Sequence, residues 1–129
     1  ILSQVKTAPT GVEEQAGLLL MNNEGQMASV MLSLHSKQPK RGMISCEKGY
    51  IEILEYPRAW EATITDAETG KTEVIKAGEN ADALAYELAD MERAINGDTA
   101  CMHLEYTKDV MELMTAFRKE WGLKYPEEE

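Results

Sequence analysis

Cysteine is nearly absent from this 129-residue chain. Cys46 and Cys101 stand far apart and match no C-x-x-C spacing, which argues against a disulfide framework and fits a reduced, intracellular, cytoplasmic protein. No cluster of His, Cys and carboxylate residues has metal-ligand spacing. Long apolar runs are missing too. The longest, Leu18 to Met21, falls far short of the roughly 20 residues that cross a bilayer, so no membrane association is expected. Basic residues are few: 13 Lys and Arg stand against 23 Asp and Glu, for a formal net charge of −10. The one basic cluster, Lys37, Lys40 and Arg41, is too short to displace the counterions of a nucleic-acid backbone, and no nucleic-acid partner is expected. No two glycines stand two apart, which excludes the Gly-x-Gly-x-x-Gly turn that seats a dinucleotide pyrophosphate at a helix N-terminus.

What is present is ordered along the chain. The length suits one domain, spanning residues 1–129. The opening Ile1-Leu2-Ser3-Gln4-Val5 has neither an initiator Met nor a basic, signal-like start, and the chain is expected to be part of a longer polypeptide. The first half alternates in the manner of strands separated by turn residues. Glu14 to Asn22 and Gln26 to Leu34 flank Asn22-Asn23-Glu24-Gly25 and should pair antiparallel. Arg41 to Cys46 and Gly49 to Glu55 flank a second turn, and Trp60 to Asp66 and Lys71 to Ile75 flank Ala67-Glu68-Thr69-Gly70. Leu2 to Val5 adds a strand whose partner the sequence does not name.

After Ala77-Gly78-Glu79-Asn80 the apolar period lengthens to that of a helix. Leu84, Leu88, Met91 and Ile95 form one stripe over Ala81 to Asn96, with Asn80 or Asp82 placed to cap its start and Gly97 to end it. Val110, Met114, Phe117 and Trp121 form a second over Glu105 to Trp121, ended by Gly122. Strands first and helices last predict an α+β fold in which the two helices can cover one sheet face. Gly17 to Met21 and Val30 to Leu32 are apolar at successive positions, so the other sheet face is expected to be covered by a second copy of the chain, unless another part of the same polypeptide lies there. Met27, Met31, Met111 and Met114 fall on apolar periods and should fill core or interface space.

The order of these pieces resembles the C-terminal domain of the Gfo/Idh/MocA oxidoreductases. It is carried by Ile44 to Ile53, by Tyr86-Glu87 on a helix, by Ala94-Ile95-Asn96-Gly97, and by a last helix closing in Trp121-Gly122-Leu123-Lys124-Tyr125-Pro126. The stretch through Tyr56-Pro57 and Trp60 is most similar to the dihydrodiol and xylose dehydrogenase branch. The resemblance covers nearly the whole chain and implies a glyceraldehyde-3-phosphate dehydrogenase-like C-terminal domain, built on an open, mostly antiparallel sheet, that shapes a substrate site for a sugar, polyol or related alcohol. It also implies a homo-oligomer, dimer or tetramer, built through the open sheet face. NAD or NADP would be held by a Rossmann domain outside this chain, together with the catalytic lysine, so no catalytic or cofactor-binding residue is assigned here and the fragment alone is expected to be inactive. The alternative is a free-standing dimerisation or ligand-binding module of the same fold.

Candidate substrate-binding residues fall in two places. His35 and Lys37, at a strand end among further basic residues, either line a polyol pocket or sit in a solvated loop. Tyr56, Arg58 and Trp60 either form an aromatic wall with a cationic donor or pack as a strand-edge cluster against a helix. His103 reads as a cap or surface residue. The paired acids Glu13-Glu14 and the run Glu127-Glu128-Glu129 read as surface turn and tail positions rather than a general acid and base, and the other acidic residues of the C-terminal stretch as solvated helix faces.

Overall fold

The structure is a computed structural model that describes residues 1–125. Pro126 and Glu127 to Glu129 lie outside the described residues. The fold is α+β, and the described residues form seven strands in two antiparallel sheets and two α-helices. The chain divides into two compact units, one of Ile1–Lys37 with the residues from His103 onward, the other of Gln38–Met102.

In the first unit, β1 (Leu2–Thr7), β2 (Glu13–Met21) and β3 (Met27–Ser33) form a sheet of that order. Register pairs Leu2 with Leu19 and Val5 with Ala16 on one side of β2, and Ala16 with Leu32 and Met21 with Met27 on the other. The β2–β3 turn is the expected one. Asn22 Oδ1 accepts hydrogen bonds from the backbone of Glu24 (3.0 Å) and Gln26 (2.9 Å), the side-chain mimic of a backbone turn that Asn performs well. Opposite β1 the register slips, Lys6 facing Gln15 and Thr7 facing Glu13, so Glu14 is the extra residue of a β-bulge.

Helix α2 (Leu104–Glu120) belongs to this unit. Phe117 is 4% exposed, stacks on Trp121 with ring centroids 5.8 Å apart, and shares the core with Ala16. Trp121 Nε1–H donates to Ser3 Oγ at 2.8 Å, tying the helix end to β1. The expected stripe thus engages at its C-terminal end, while Val110 and Met114 stay exposed. The helix stops where Gly122 allows it. At φ 66° Gly122 takes the left-handed conformation, its N–H bonding Lys119 O at 3.2 Å and that of Leu123 bonding Arg118 O at 3.0 Å. His103 occupies the N-cap position at φ 46°, but its side chain caps no amide; it stacks on Tyr106.

In the second unit, β4 (Arg41–Cys46), β5 (Gly49–Leu54), β6 (Glu61–Asp66) and β7 (Thr72–Lys76) form a meander in chain order. Its last turn is pinned by Asp66, whose carboxylate accepts from both the backbone and the hydroxyl of Thr69 at 2.7 Å. Those bonds hold the Asp66 carboxyl below the usual carboxylate range. Helix α1 (Ala83–Ile95) follows a 3-10 turn at Asn80–Asp82, and neither Asn80 nor Asp82 caps it through its side chain. Its C-terminus repeats the glycine device, with Gly97 at φ 105° and the Asp98 N–H on Arg93 O at 3.0 Å.

Three expectations are corrected. The single open sheet is two sheets, because β3 ends in a local turn: Ser33 Oγ accepts from the backbone of His35 (3.2 Å) and Ser36 (3.1 Å), and β4 pairs with β5 alone. The helices do not both cover a sheet face. The stripe of α1, Leu84, Leu88, Met91 and Ile95, is 54–79% exposed, since the helix packs chiefly against the 3-10 turns before and after it. Of the core or interface placement expected for Met27, Met31, Met111 and Met114, the core half is corrected: all four are exposed in this chain.

Candidate functional site

Each unit holds one cavity worth chemical attention. In the second unit it measures about 380 Å³ and lies where the segment after β5 meets the start of α1. Glu55, left-handed at φ 50°, ends β5 and throws the chain into the 3-10 turn Tyr56–Arg58. That turn brings Arg58 and Trp60 to the cavity wall. The opposite wall comes from Gly78, Glu79, Asn80 and Tyr86. The Tyr86 hydroxyl accepts the Glu79 N–H at 2.9 Å, and its ring lies against Gly78, which fixes the approach to the helix. Lys76 Nζ sits 4.6 Å from the centroid of the Trp60 ring and 3.6 Å from Glu61, a cation on the aromatic face with its counter-charge beside it.

Two aromatic faces, a guanidinium, a carboxylate and an amide around so small a space suit a compact polyhydroxylated ligand. Arg58, Glu79 and Asn80 can meet its hydroxyls, with the Trp60 and Tyr86 rings among the lining residues. The volume sits at the lower end of the ~300–1,000 Å³ typical of small-molecule pockets.

In the first unit a cavity of about 510 Å³ lies between the β2–β3 face and α2. Leu18, Leu32, Met111, Met114, Phe117 and Trp121 give it apolar walls, and Glu14 lines it. Glu14 is only 8% exposed, which corrects its reading as a surface turn residue: the bulge turns it inward at the start of β2. Lys6 Nζ donates to Glu14 Oε1 at 2.6 Å and His35 Nε2 lies 3.4 Å from the same oxygen. The Lys6 hydrogen bond, aided by His35 and opposed by desolvation, holds the Glu14 carboxyl below its ordinary range.

The five substrate-binding candidates therefore separate. Arg58 and Trp60 meet at the second unit's cavity, while Tyr56 shares their turn but is exposed and outside the lining. His35 and Lys37 belong to the first unit, where His35 turns to Glu14 and Lys37 is exposed. Sequence reasoning missed Glu14, Tyr86, Glu79 and Asn80 as lining residues. Tyr86 had a signal, since a bulky aromatic just after Gly78 and the helix start has little room except over that glycine. Glu14 had none, because a bulge leaves no mark in the alternation of apolar residues.

No protein-family model matches this chain, and neither a curated protein nor a solved structure matches it.

Proposed function

We propose that this chain is the substrate-binding and oligomerising C-terminal part of an NAD(P)-dependent oxidoreductase of the Gfo/Idh/MocA kind, acting on a sugar, polyol or related alcohol. One observation carries the reading. Two stretches on which the sequence resemblance rests, the one running through Trp60 and the one holding Tyr86, are far apart in the chain and converge on one cavity furnished for a hydroxylated ligand. Arg58, Glu79 and Asn80 would hold substrate hydroxyls and so orient the remaining carbinol for reaction, which is where positioning contributes most to rate.

Among the described residues nothing fits the nicotinamide cofactor, whose role is to exchange a hydride with the carbinol carbon. There is no Gly-x-Gly-x-x-Gly turn, and the cofactor would belong to a separate Rossmann domain.

The exposed surface supports the oligomerising role. The chain exposes 10950 Å², whereas two separate compact bodies of half its mass would together expose about 8,200 Å². Much of the excess is apolar: Leu2, Leu19, Met21, Met27 and Met31 share one bare face of the first sheet, and the α1 stripe lies bare in the second unit. Faces of this kind on a stable protein are ordinarily covered by other protein surface.

A free-standing binding or dimerisation module is the second reading, favoured by the finding of two self-contained sheets in place of one open sheet. Calorimetric titration of the chain with polyols separates the outcomes for the cavity: binding that Trp60→Ala or Arg58→Ala weakens at least tenfold supports a substrate site, and binding indifferent to both removes it. Turnover of NAD(P)⁺ by the protein with its upstream sequence then separates enzyme from module.

A further inference from the structure

The first unit's cavity is independent of the proposed substrate pocket and is furnished differently. Its walls are aliphatic, thioether and aromatic, from Leu18, Leu32, Met111, Met114, Phe117 and Trp121. Its volume of about 510 Å³ lies inside the range in which small apolar molecules are held. Two carboxylates, Glu13 and Glu14, and the Arg118 guanidinium also line it; of these Glu14 is the one more than nine-tenths buried.

The Glu14 carboxylate is only half used. Both of its side-chain contacts, from Lys6 at 2.6 Å and His35 at 3.4 Å, fall on Oε1. Oε2 has no donor among the described residues, yet it is not a sealed, unsatisfied atom, since no fully buried side-chain oxygen in the described chain lacks a partner. An ionised carboxylate in an apolar wall retains acceptor capacity for which a hydroxyl is the fitting donor. The donor should be neutral. Lys6 already balances the Glu14 charge and Arg118 adds a cation to the lining, so a cationic ligand would gain little attraction while losing its own hydration on entering the cavity.

We propose that this cavity binds a small hydrophobic alcohol or phenol, its apolar body against the Met and aromatic side chains of α2 and its hydroxyl donating to Glu14 Oε2. The assignment does not depend on the oxidoreductase reading, and it would stand if the second unit's cavity bound nothing.

The test uses p-cresol and p-xylene, which share ring and substituent geometry and differ by the hydroxyl. Binding is followed by fluorescence in a Trp60→Phe background, where Trp121, in the cavity wall, is the remaining tryptophan. The expected result is saturable quenching by p-cresol and affinity for p-xylene at least tenfold weaker, because p-xylene leaves the carboxylate desolvated without a donor in return. Glu14→Gln, which keeps the shape and removes the charge, should weaken p-cresol about tenfold without weakening p-xylene, narrowing the gap between the two. Met114→Trp, at an exposed position of the cavity wall away from the carboxylate, should block both ligands. Equal binding of the two ligands would overturn the role of Glu14, and failure of p-cresol to bind the parent protein at millimolar concentration would overturn the site. The parent comparison stands even if a variant fails to fold.

Discussion

Truncating Phe117 to Ala removes the largest side chain in the small core of the first unit. Among the described residues the buried set is Glu14, Ala16 and Phe117, all in that unit, and Phe117 is the largest apolar side chain of the three. An aromatic side chain buries ~150–250 Å². At about 25 cal/mol per Å² this corresponds to about 4–6 kcal/mol as an upper bound, because a denatured chain already hides part of that surface. Truncations of buried Phe cost about 3–5 kcal/mol. The stacking on Trp121, and through it the bond to Ser3, also loses its support. A unit of this size has a total stability of about 3–10 kcal/mol, so the substitution should leave the first unit partly or wholly unfolded at 25 °C. Urea titration followed by Trp121 fluorescence, again in a Trp60→Phe background, reads this directly. The control is Val110→Ala at an exposed position of α2 in the same unit, where the loss should stay under about 0.5 kcal/mol because little is buried there. A Phe117→Ala loss below about 1 kcal/mol, or a larger loss for Val110→Ala, would refute the assignment of the core.

Further outcomes are expected from other positions. At Gly49 an added Cβ would meet the Thr65 carbonyl oxygen at well under contact distance, so Gly49→Ala should cost about 1–3 kcal/mol as backbone is forced apart and should speed amide exchange along the β5–β6 ladder. Gly122→Ala, forced into the left-handed region, should cost about 1 kcal/mol, seen as a lower thermal midpoint. The Glu14 carboxyl is depressed in the folded state, so its pairing stabilises fully above the unfolded-state pKa and is lost as pH falls through the folded one. Glu14→Gln should therefore flatten the acid limb of the stability profile, and Lys6→Met should shift the Glu14 titration upward when followed by carboxyl NMR.

Local structure was legible in the residues to within two positions. Strands alternate, Asn22 and Gly25 mark one hairpin, and Gly97 and Gly122 stop both helices, because these signals act on φ and ψ within a few residues. Long-range pairing was not legible. Periodicity says that Arg41–Cys46 is a strand without saying which edge it joins; the strand pairs with β5, and β3 closes in a local turn at Ser33. The stripe of α1 was read correctly as apolar, yet an apolar face announces only that it can be covered, not by what. For the sites, Arg58 and Trp60 could be singled out by their chemistry and nearness in sequence. Glu14 could not, because its burial follows from a bulge opposite Lys6 and from α2 lying over the sheet.

The central claim, that this chain serves as the substrate-binding part of an NAD(P)-dependent oxidoreductase, meets its most direct test in the natural reading frame upstream of Ile1. The account predicts a strand, a Gly-x-Gly-x-x-Gly turn and a helix there, followed by a lysine-bearing catalytic segment. An initiator Met immediately before Ile1, with no such domain encoded, would contradict it and leave a free-standing binding module.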